Sequence, residues 1–320
     1  MLTLIKRNLN SLYRRFIYSN YDLTKSYLLK KFRSAARNGD YILLVYQMGK
    51  VGSTSIVNSL KTLHLGKTVF HVHGLSPELI SYNDNIYRKK FNELRRIDPH
   101  LIESIYLREI LDEVVDSHYW KIISLVRDPV ARNISTLFQN RKLFYEFDKK
   151  VDQMPDNLLV QYYKNLFIES YEDQDYGQRH QTPLIWLDNE IEGVFGIDVY
   201  ASDFPKDKGY RIYKKENVEM LLIRLENLNT CAADAIREFL GIENFKLESG
   251  NISENKDYGD AYKKFLAAID IPQSYLDEMY NSRYARHFYS SEEIASFRKM
   301  WARTGVRYSL SSDIRGSITG

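Results

Sequence analysis

Residues 41–60 read YILLVYQMGKVGSTSIVNSL, and this stretch decides the fold. Tyr41 to Tyr46 are apolar or aromatic without a break, which suits a strand buried on both faces of a parallel sheet. The pattern stops at Gln47-Met48-Gly49-Lys50-Val51-Gly52. Ser53-Thr54-Ser55 then opens a helical run through Ile56, Leu60 and Leu63. A strand, a glycine-containing loop, hydroxyl residues and a helix make an arrangement that grips phosphate. Backbone N–H groups of the loop point inward, and the helix N-terminus adds partial positive charge. Gly49 and Gly52 permit backbone angles that other residues resist, and Lys50 supplies a mobile full charge. In a Walker A loop, G-x-x-x-x-G-K-[ST], the lysine follows the last glycine; here Lys50 precedes Gly52. The plainer alternative is an ordinary strand–turn–helix with a surface lysine.

Composition bounds the rest. At 320 residues the chain suits one large α/β domain or one domain with decorations. A net charge of +3 gives no global nucleic-acid footprint. The charge is uneven: residues 1–40 hold nine Lys/Arg against two Asp, a local +7 that leaves about −4 for the remainder. The 25 tyrosines suit a carbohydrate-facing groove, a core or an interface. The single cysteine, Cys231, excludes an intrachain disulfide and a multi-cysteine zinc site, and reads as a small buried apolar residue. No segment approaches the roughly 18 apolar residues that span a bilayer, and no signal-peptide core is present. The expectation is a cytoplasmic protein. The basic segment 1–40 reads as helical and is suited either to packing on the body or to an anionic membrane surface.

A second informative stretch is Trp120 to Phe138, WKIISLVRDPVARNISTLF. Ile122 to Val126 form another buried strand, and Pro129 suits the first turn of a following helix. Arg127 at the strand end and Ser135 two turns into the helix can converge on one phosphate, the planar guanidinium matching its oxygens. Between the two stretches, Lys67 to Val72 (KTVFHV) reads as a strand that runs into His71-Val72-His73. Two histidines alternating across one valine share a face in an extended chain, at the strand end where open α/β sheets collect ligands.

Elsewhere the pattern is coarser. Residues 77–116 read as two helices broken near Asp98-Pro99, and 151–171 as another. Residues 176–183 read as a loop with a solvated His180, and the acids of Trp186 to Gly196 as facing an acceptor or water. Two strands, Gly209 to Lys214 and Val218 to Arg224, precede a structural Glu226 and a helix ending at Gly241. A helix near Pro272 to Tyr280 and a final one that starts at Ser291 and runs to Trp301 follow.

The loop K-V-G-S-T-S at 50–55 resembles the 5′-phosphosulfate loop of sulfotransferases that use 3′-phosphoadenosine 5′-phosphosulfate (PAPS). Arg127, Asp128, Pro129, Arg132 and Ser135 match that family's R-[DN]-P-x-x-R-x-x-S element. Within the family, the chain is similar to the capsular polysaccharide synthesis and glycan O-sulfotransferase proteins. The resemblance is specific at 47–55 and 127–135, and weaker at 70–73, 224–228 and 287–301. It implies a P-loop NTPase-like three-layer α/β sandwich, with a central, mostly parallel sheet flanked by helices. One such domain would span 41–310, with a loose tail over 311–320. It implies PAPS as co-substrate, bound by Lys50, Val51, Gly52, Ser53, Thr54, Ser55, Arg127 and Ser135, with no metal required, and a hydroxyl acceptor on a glycan. A histidine after the second strand is the base in similar uronosyl 2-O-sulfotransferases, which implies that role for His73, or for His71. Structural hydrogen bonding and metal binding stay open for the pair. Two other readings of the whole chain remain: a P-loop kinase acting on a sugar or small molecule, and a non-enzymatic nucleotide-binding part of a polysaccharide assembly.

Overall fold

The structure, a computed structural model, describes residues 23, 26, 27, 30, 41–63, 65, 69–94, 99–114, 119–144, 154–172, 177–248 and 259–302. Most of the basic segment 1–40, the start of KTVFHV, Asp98 and the tail over 311–320 lie outside the described residues. The protein is α/β. Five strands form one sheet: β1 (Tyr41–Tyr46), β2 (Val69–Val72), β3 (Tyr119–Val126), β4 (Tyr210–Lys215) and β5 (Val218–Arg224), in the order β2-β1-β3-β5-β4. All pair in parallel except β4, which joins β5 antiparallel at one edge. β1 beyond Tyr41 and all of β5 are buried, as their unbroken apolar runs require.

Eleven helices are found among the described residues: α1 (Ser53–Thr62), α2 (Pro77–Leu94), α3 (Pro99–Val114), α4 (Pro129–Phe144), α5 (Asp156–Glu172), α6 (Gly177–Trp186, continuing through a π-helical stretch at Leu187–Glu192 into Gly193–Phe195), α7 (Leu228–Leu240), α8 (Gly259–Ala268), α9 (Gln273–Tyr280), α10 (Arg283–Phe288) and α11 (Ser291–Trp301). After β1 the chain crosses to β2 on one side of β1, and then to β3 on the other. Right-handed crossovers of opposite direction place their helices on opposite faces, which makes the three-layer sandwich. The reversal of direction beside β1 also opens a crevice at the C-terminal strand ends. The loop after β1, His73 after β2 and Arg127 after β3 all stand at that edge.

The core divides in two. One part lies against the sheet and includes Leu44, Val45, Ile56, Ile123, Leu222 and Ile236. The other is a helical layer in which Val130, Ile134 and Phe138 of α4 pack against Tyr163, Phe167, Tyr262, Phe265, Tyr275 and Trp301. Tyrosines enter both parts: Tyr46, Tyr106, Tyr284 and Tyr289 are fully buried in the first, and Tyr163, Tyr262, Tyr275 and Tyr280 in the second. Cys231 is buried, and burial raises its thiol pKa to about 11, so it is a packing residue.

Two local expectations are corrected. Residues 177–186 are helical rather than a loop, although Pro183 sits inside that helix. His180 is buried, not solvated: Nε2 lies 3.0 Å from Ser170 Oγ, and Nδ1 lies 2.8 Å from the Tyr275 hydroxyl. The last helix starts at Ser291, as its sequence suggests, and is capped by Ser290, whose hydroxyl accepts from Glu293 N–H while the Glu293 carboxylate accepts from Ser290 N–H.

Candidate functional site

The loop after β1 is held from behind by two arginines. Arg132 Nε donates to Gly49 O at 3.2 Å, and Arg127 Nη1 donates to Lys50 O at 3.1 Å. Among the described residues every peptide is trans, so the N–H groups of Lys50 and Val51 point away from those guanidinium groups. Lys50 itself has φ 74°, a left-handed conformation uncommon for a residue with a Cβ. The backbone then turns at Gly52, φ 84°, into α1, whose N-terminus has no side-chain cap. Loop amides and the uncapped helix start are the donors that an anion needs. Val51 and Ser53 are buried, whereas Thr54 and Ser55 are half-exposed.

Arg127 and Ser135 lie deep, each 1% exposed. Tyr284 brackets Arg127: its hydroxyl accepts from Arg127 N–H at 3.0 Å and donates to Arg127 O at 2.8 Å. The Ser135 hydroxyl is buried with no hydrogen-bond partner among the described residues, a polar group for which a ligand oxygen is one solution. Asp128 braces the turn, accepting from Val130 N–H at 3.0 Å, the Tyr280 hydroxyl at 2.7 Å and Trp301 Nε1 at 3.0 Å. Its own N–H donates to Glu226 at 2.8 Å. Burial raises the pKa of both carboxyls.

His71 and His73 meet on one face, ring centroids 5.1 Å apart. His100 of α3 joins them, 4.7 Å from His71 and 5.4 Å from His73. Their hydrogen bonds separate their roles. His71 Nε2 is engaged by Ser53 Oγ at 3.1 Å and by the Gln47 amide at 3.1 Å. Burial, with neighbouring His73, His100 and Lys61, lowers the His71 pKa to about 2, so this ring is neutral and ties α1 to β2. His73 Nδ1 lies 3.0 Å from the Gln47 backbone carbonyl. A carbonyl only accepts, so Nδ1 carries the proton and Nε2 carries the lone pair. An amide NH₂ at the neighbouring 3.3 Å contact would then set donor against donor. The hydrogen-bonding logic therefore turns the Gln47 amide oxygen towards His73. Among the described residues no group of three His, Cys, Asp or Glu is arranged to hold a metal ion.

Several residues at this edge carry no sequence motif. Arg132 does, but its task is legible only in the fold: besides Gly49 O, its Nη1 donates to Arg179 O at 2.9 Å. Pro183 has no N–H, so the Arg179 carbonyl lacks its helical donor, and Arg132 replaces it. Asn133 Nδ2 likewise donates to His180 O at 2.9 Å. Further along the same helix, Trp186 Nε1 donates to His73 O at 2.9 Å. Glu190, in the π-helical stretch, is buried. It accepts from Leu75 N–H at 2.7 Å, Ser76 N–H at 3.0 Å, the Ser76 hydroxyl and the Tyr46 hydroxyl. Four donors on one carboxylate make a closed, fully satisfied network.

Residues 178–290 match the NKWYS family model, described as "Putative capsular polysaccharide synthesis protein". The match covers 113 of the chain's 320 residues. It spans α6, the π-helical stretch, β4, β5 and the helices through α10, and so includes Trp186, Glu190, Arg224, Glu226 and Tyr284. The loop at 47–55 and the element at 127–135 lie outside it. Comparison with curated proteins and with solved structures gave no match. Among the described residues no helix is long and apolar enough to cross a membrane.

Proposed function

We propose that the protein transfers a sulfuryl group from PAPS to a hydroxyl of a glycan acceptor in polysaccharide synthesis. The observation that carries this reading is the linkage through Gln47. One residue ends the β1 run, begins the anion-suited loop, and sets the tautomer of His73 through its carbonyl. The proposed base is thus hydrogen-bonded to the backbone that begins the proposed phosphate loop.

In this reading, the 5′-phosphosulfate sits on the Lys50–Ser55 amides and hydroxyls, and the 3′-phosphate engages Arg127 and Ser135. His73 Nε2 takes the proton of the acceptor hydroxyl as its oxygen forms a bond to sulfur. The bond from sulfur to the bridging phosphate oxygen breaks, and the electron pair leaves with 3′,5′-adenosine diphosphate (PAP). Lys50 and the outward amides stabilise the charge that grows on that phosphate. The remaining acceleration comes from holding donor and acceptor in line. His71, held neutral and already engaged by Ser53 and Gln47, fixes the loop helix instead of acting as the base.

A P-loop kinase would use the same loop with Mg·ATP, and an assembly scaffold would bind nucleotide without turnover. Thermal stabilisation by PAP, compared with ATP and Mg²⁺, separates the transferase from the kinase. Radiolabelled sulfate transfer from PAPS to capsular glycan fractions separates the transferase from the scaffold. Stabilisation by Mg·ATP alone, or PAP binding with no transfer to any hydroxyl acceptor, would overturn the reading.

A further inference from the structure

The helix that runs from Gly177 to Phe195 is held at two places. At its start, Arg132 and Asn133 of α4 donate to the carbonyls of Arg179 and His180, the first of which Pro183 leaves without its helical donor. The same Arg132 holds Gly49 O of the loop. At its far end, Trp186 and Glu190 grip His73 O, Leu75 N–H and Ser76 N–H, the backbone on which His73 is carried. The helix is therefore a strut between the loop and the histidine. The π-helical stretch at Leu187–Glu192 is where its regular spacing gives way. An α-helix that widens to i→i+5 bonding re-aims the side chains beyond it, and such turns gather at functional sites. Here the re-aimed side chain is a carboxylate, placed under two consecutive peptide N–H groups. Gly74, between His73 and the gripped amides, is packed so closely that an added Cβ would lie 2.5 Å from Leu79 Cδ2. The His73–Ser76 turn thus has neither side-chain slack on one side nor an unmet donor on the other.

We propose that Glu190, with Trp186, is a positioning residue for His73: it fixes the turn that presents the imidazole to the acceptor hydroxyl. The role rests on His73 being the base of the proposed transfer. Glu190 is enclosed by its donors and acts through the backbone of residues 73–76. The carboxylate and the indole N–H together hold three residues of that turn, His73, Leu75 and Ser76.

The test uses the full-length protein with Glu190→Gln and Trp186→Phe. Gln keeps one oxygen for the two backbone amides, and its NH₂ can donate to a rotated Ser76 hydroxyl. Phe removes only the indole N–H. The long-range ¹H–¹⁵N spectrum of the imidazoles, with His73 assigned from His73→Gln, reads the tautomer without any need for activity. The wild type should show the Nδ1–H form. The variants should show an averaged or altered His73 signal, kcat for sulfate transfer lowered about ten-fold or more, and PAP affinity and KM for PAPS within about two-fold. If either folded variant keeps the wild-type His73 signal and kcat, the positioning role is wrong. If the wild type transfers no sulfate while the His73 signal still depends on Glu190, the transfer reading fails and the grip on His73 stands. Should Glu190→Gln not fold, Trp186→Phe decides on the same readouts.

Discussion

Gly49 and Gly52 lie three residues apart in the same loop, yet the structure assigns them different work, and alanine at each should show it. At Gly52 an added Cβ would sit 2.4 Å from Leu225 Cδ1, and φ is +84°. The left-handed backbone costs a non-glycine residue about 1–2 kcal/mol. Displacing a packed leucine costs roughly 1–3 kcal/mol more. Gly52→Ala should therefore destabilise the protein by about 2–5 kcal/mol, and lower Tm by roughly 5–15 °C for a domain of this size. At Gly49 an added Cβ meets nothing within 4 Å, and φ is not in the left-handed range. Gly49→Ala should leave stability unchanged or raise it by up to about 1 kcal/mol, through the unfolded chain. Open space above a loop whose carbonyls are tied down behind is where an anion would seat. The Gly49→Ala methyl should therefore weaken PAP binding about ten-fold or more while the fold stays intact. Calorimetry and PAP titration on the two variants read both effects. A Gly52→Ala Tm within about 2 °C of wild type would refute the packing argument. Unchanged PAP affinity in Gly49→Ala would refute the seat.

Three further outcomes follow from the same geometry. Lys50→Ala should cut turnover by about 100-fold or more with the fold retained; unchanged turnover in a steady-state assay would remove Lys50 from the chemistry. Arg127→Ala should abolish discrimination between PAP and 5′-AMP in a binding titration, and equal wild-type affinity for the two nucleotides would sink the 3′-phosphate site. Burial lowers the His180 pKa to about 3, so the unfolded chain binds a proton there, from its ordinary value near 6.5 downward, that the folded chain does not. His180 therefore favours folding above that value and costs stability as pH falls towards 3, by about 1.4 kcal/mol per pH unit. Denaturation between pH 4 and 5.5 should show about one proton fewer taken up on unfolding in His180→Gln than in wild type; equal slopes would contradict a buried neutral His180.

Much of the fold was legible because buried parallel strands announce themselves as unbroken apolar runs. Tyr41–Tyr46 and Val218–Arg224 emerge with the bounds their residues suggest, and Gly241, φ 70°, ends α7 where the glycine stands. Glu226 could be read as a structural group because it follows a strand end, although the amide it holds, Asp128 N–H, lies 98 residues earlier. What resisted reading has one physical character: it depends on partners far away in the chain. Pro183 reads as a helix breaker by every local rule, and locally it is one. The helix persists because Arg132, 47 residues before Arg179, donates to the Arg179 carbonyl in place of the N–H that proline lacks. Glu190 reads as one acid among several, and only the fold brings it to Tyr46, 144 residues away, and to Leu75, 115 residues away. His180 escaped for the same reason, since the Tyr275 hydroxyl that satisfies it belongs to a helix 95 residues on.

That distinction bears on how the family match and the motifs relate. The phosphate-loop elements, 47–55 and 127–135, are local patterns: the backbone amides do the work, and a few residue types suffice to arrange them. The matched region, 178–290, holds the groups that act at a distance on those elements. Within it, Trp186 and Glu190 act on the His73 turn, the Arg179 carbonyl on Arg132, and Tyr284 and Glu226 on Arg127 and Asp128. Every one of these contacts crosses from the matched part to the strand ends outside it. The carbonyls of Gly49 and Lys50 are fixed by arginines that are themselves anchored by residues 179 and 284. A loop whose amides must stand ready for an anion before it arrives needs such fixed backing, since each donor left to reorient would cost free energy at the moment of transfer. In the proposed reading the matched segment is thus the preorganising half of the site, and the motif-bearing segments are the half that would touch ligand.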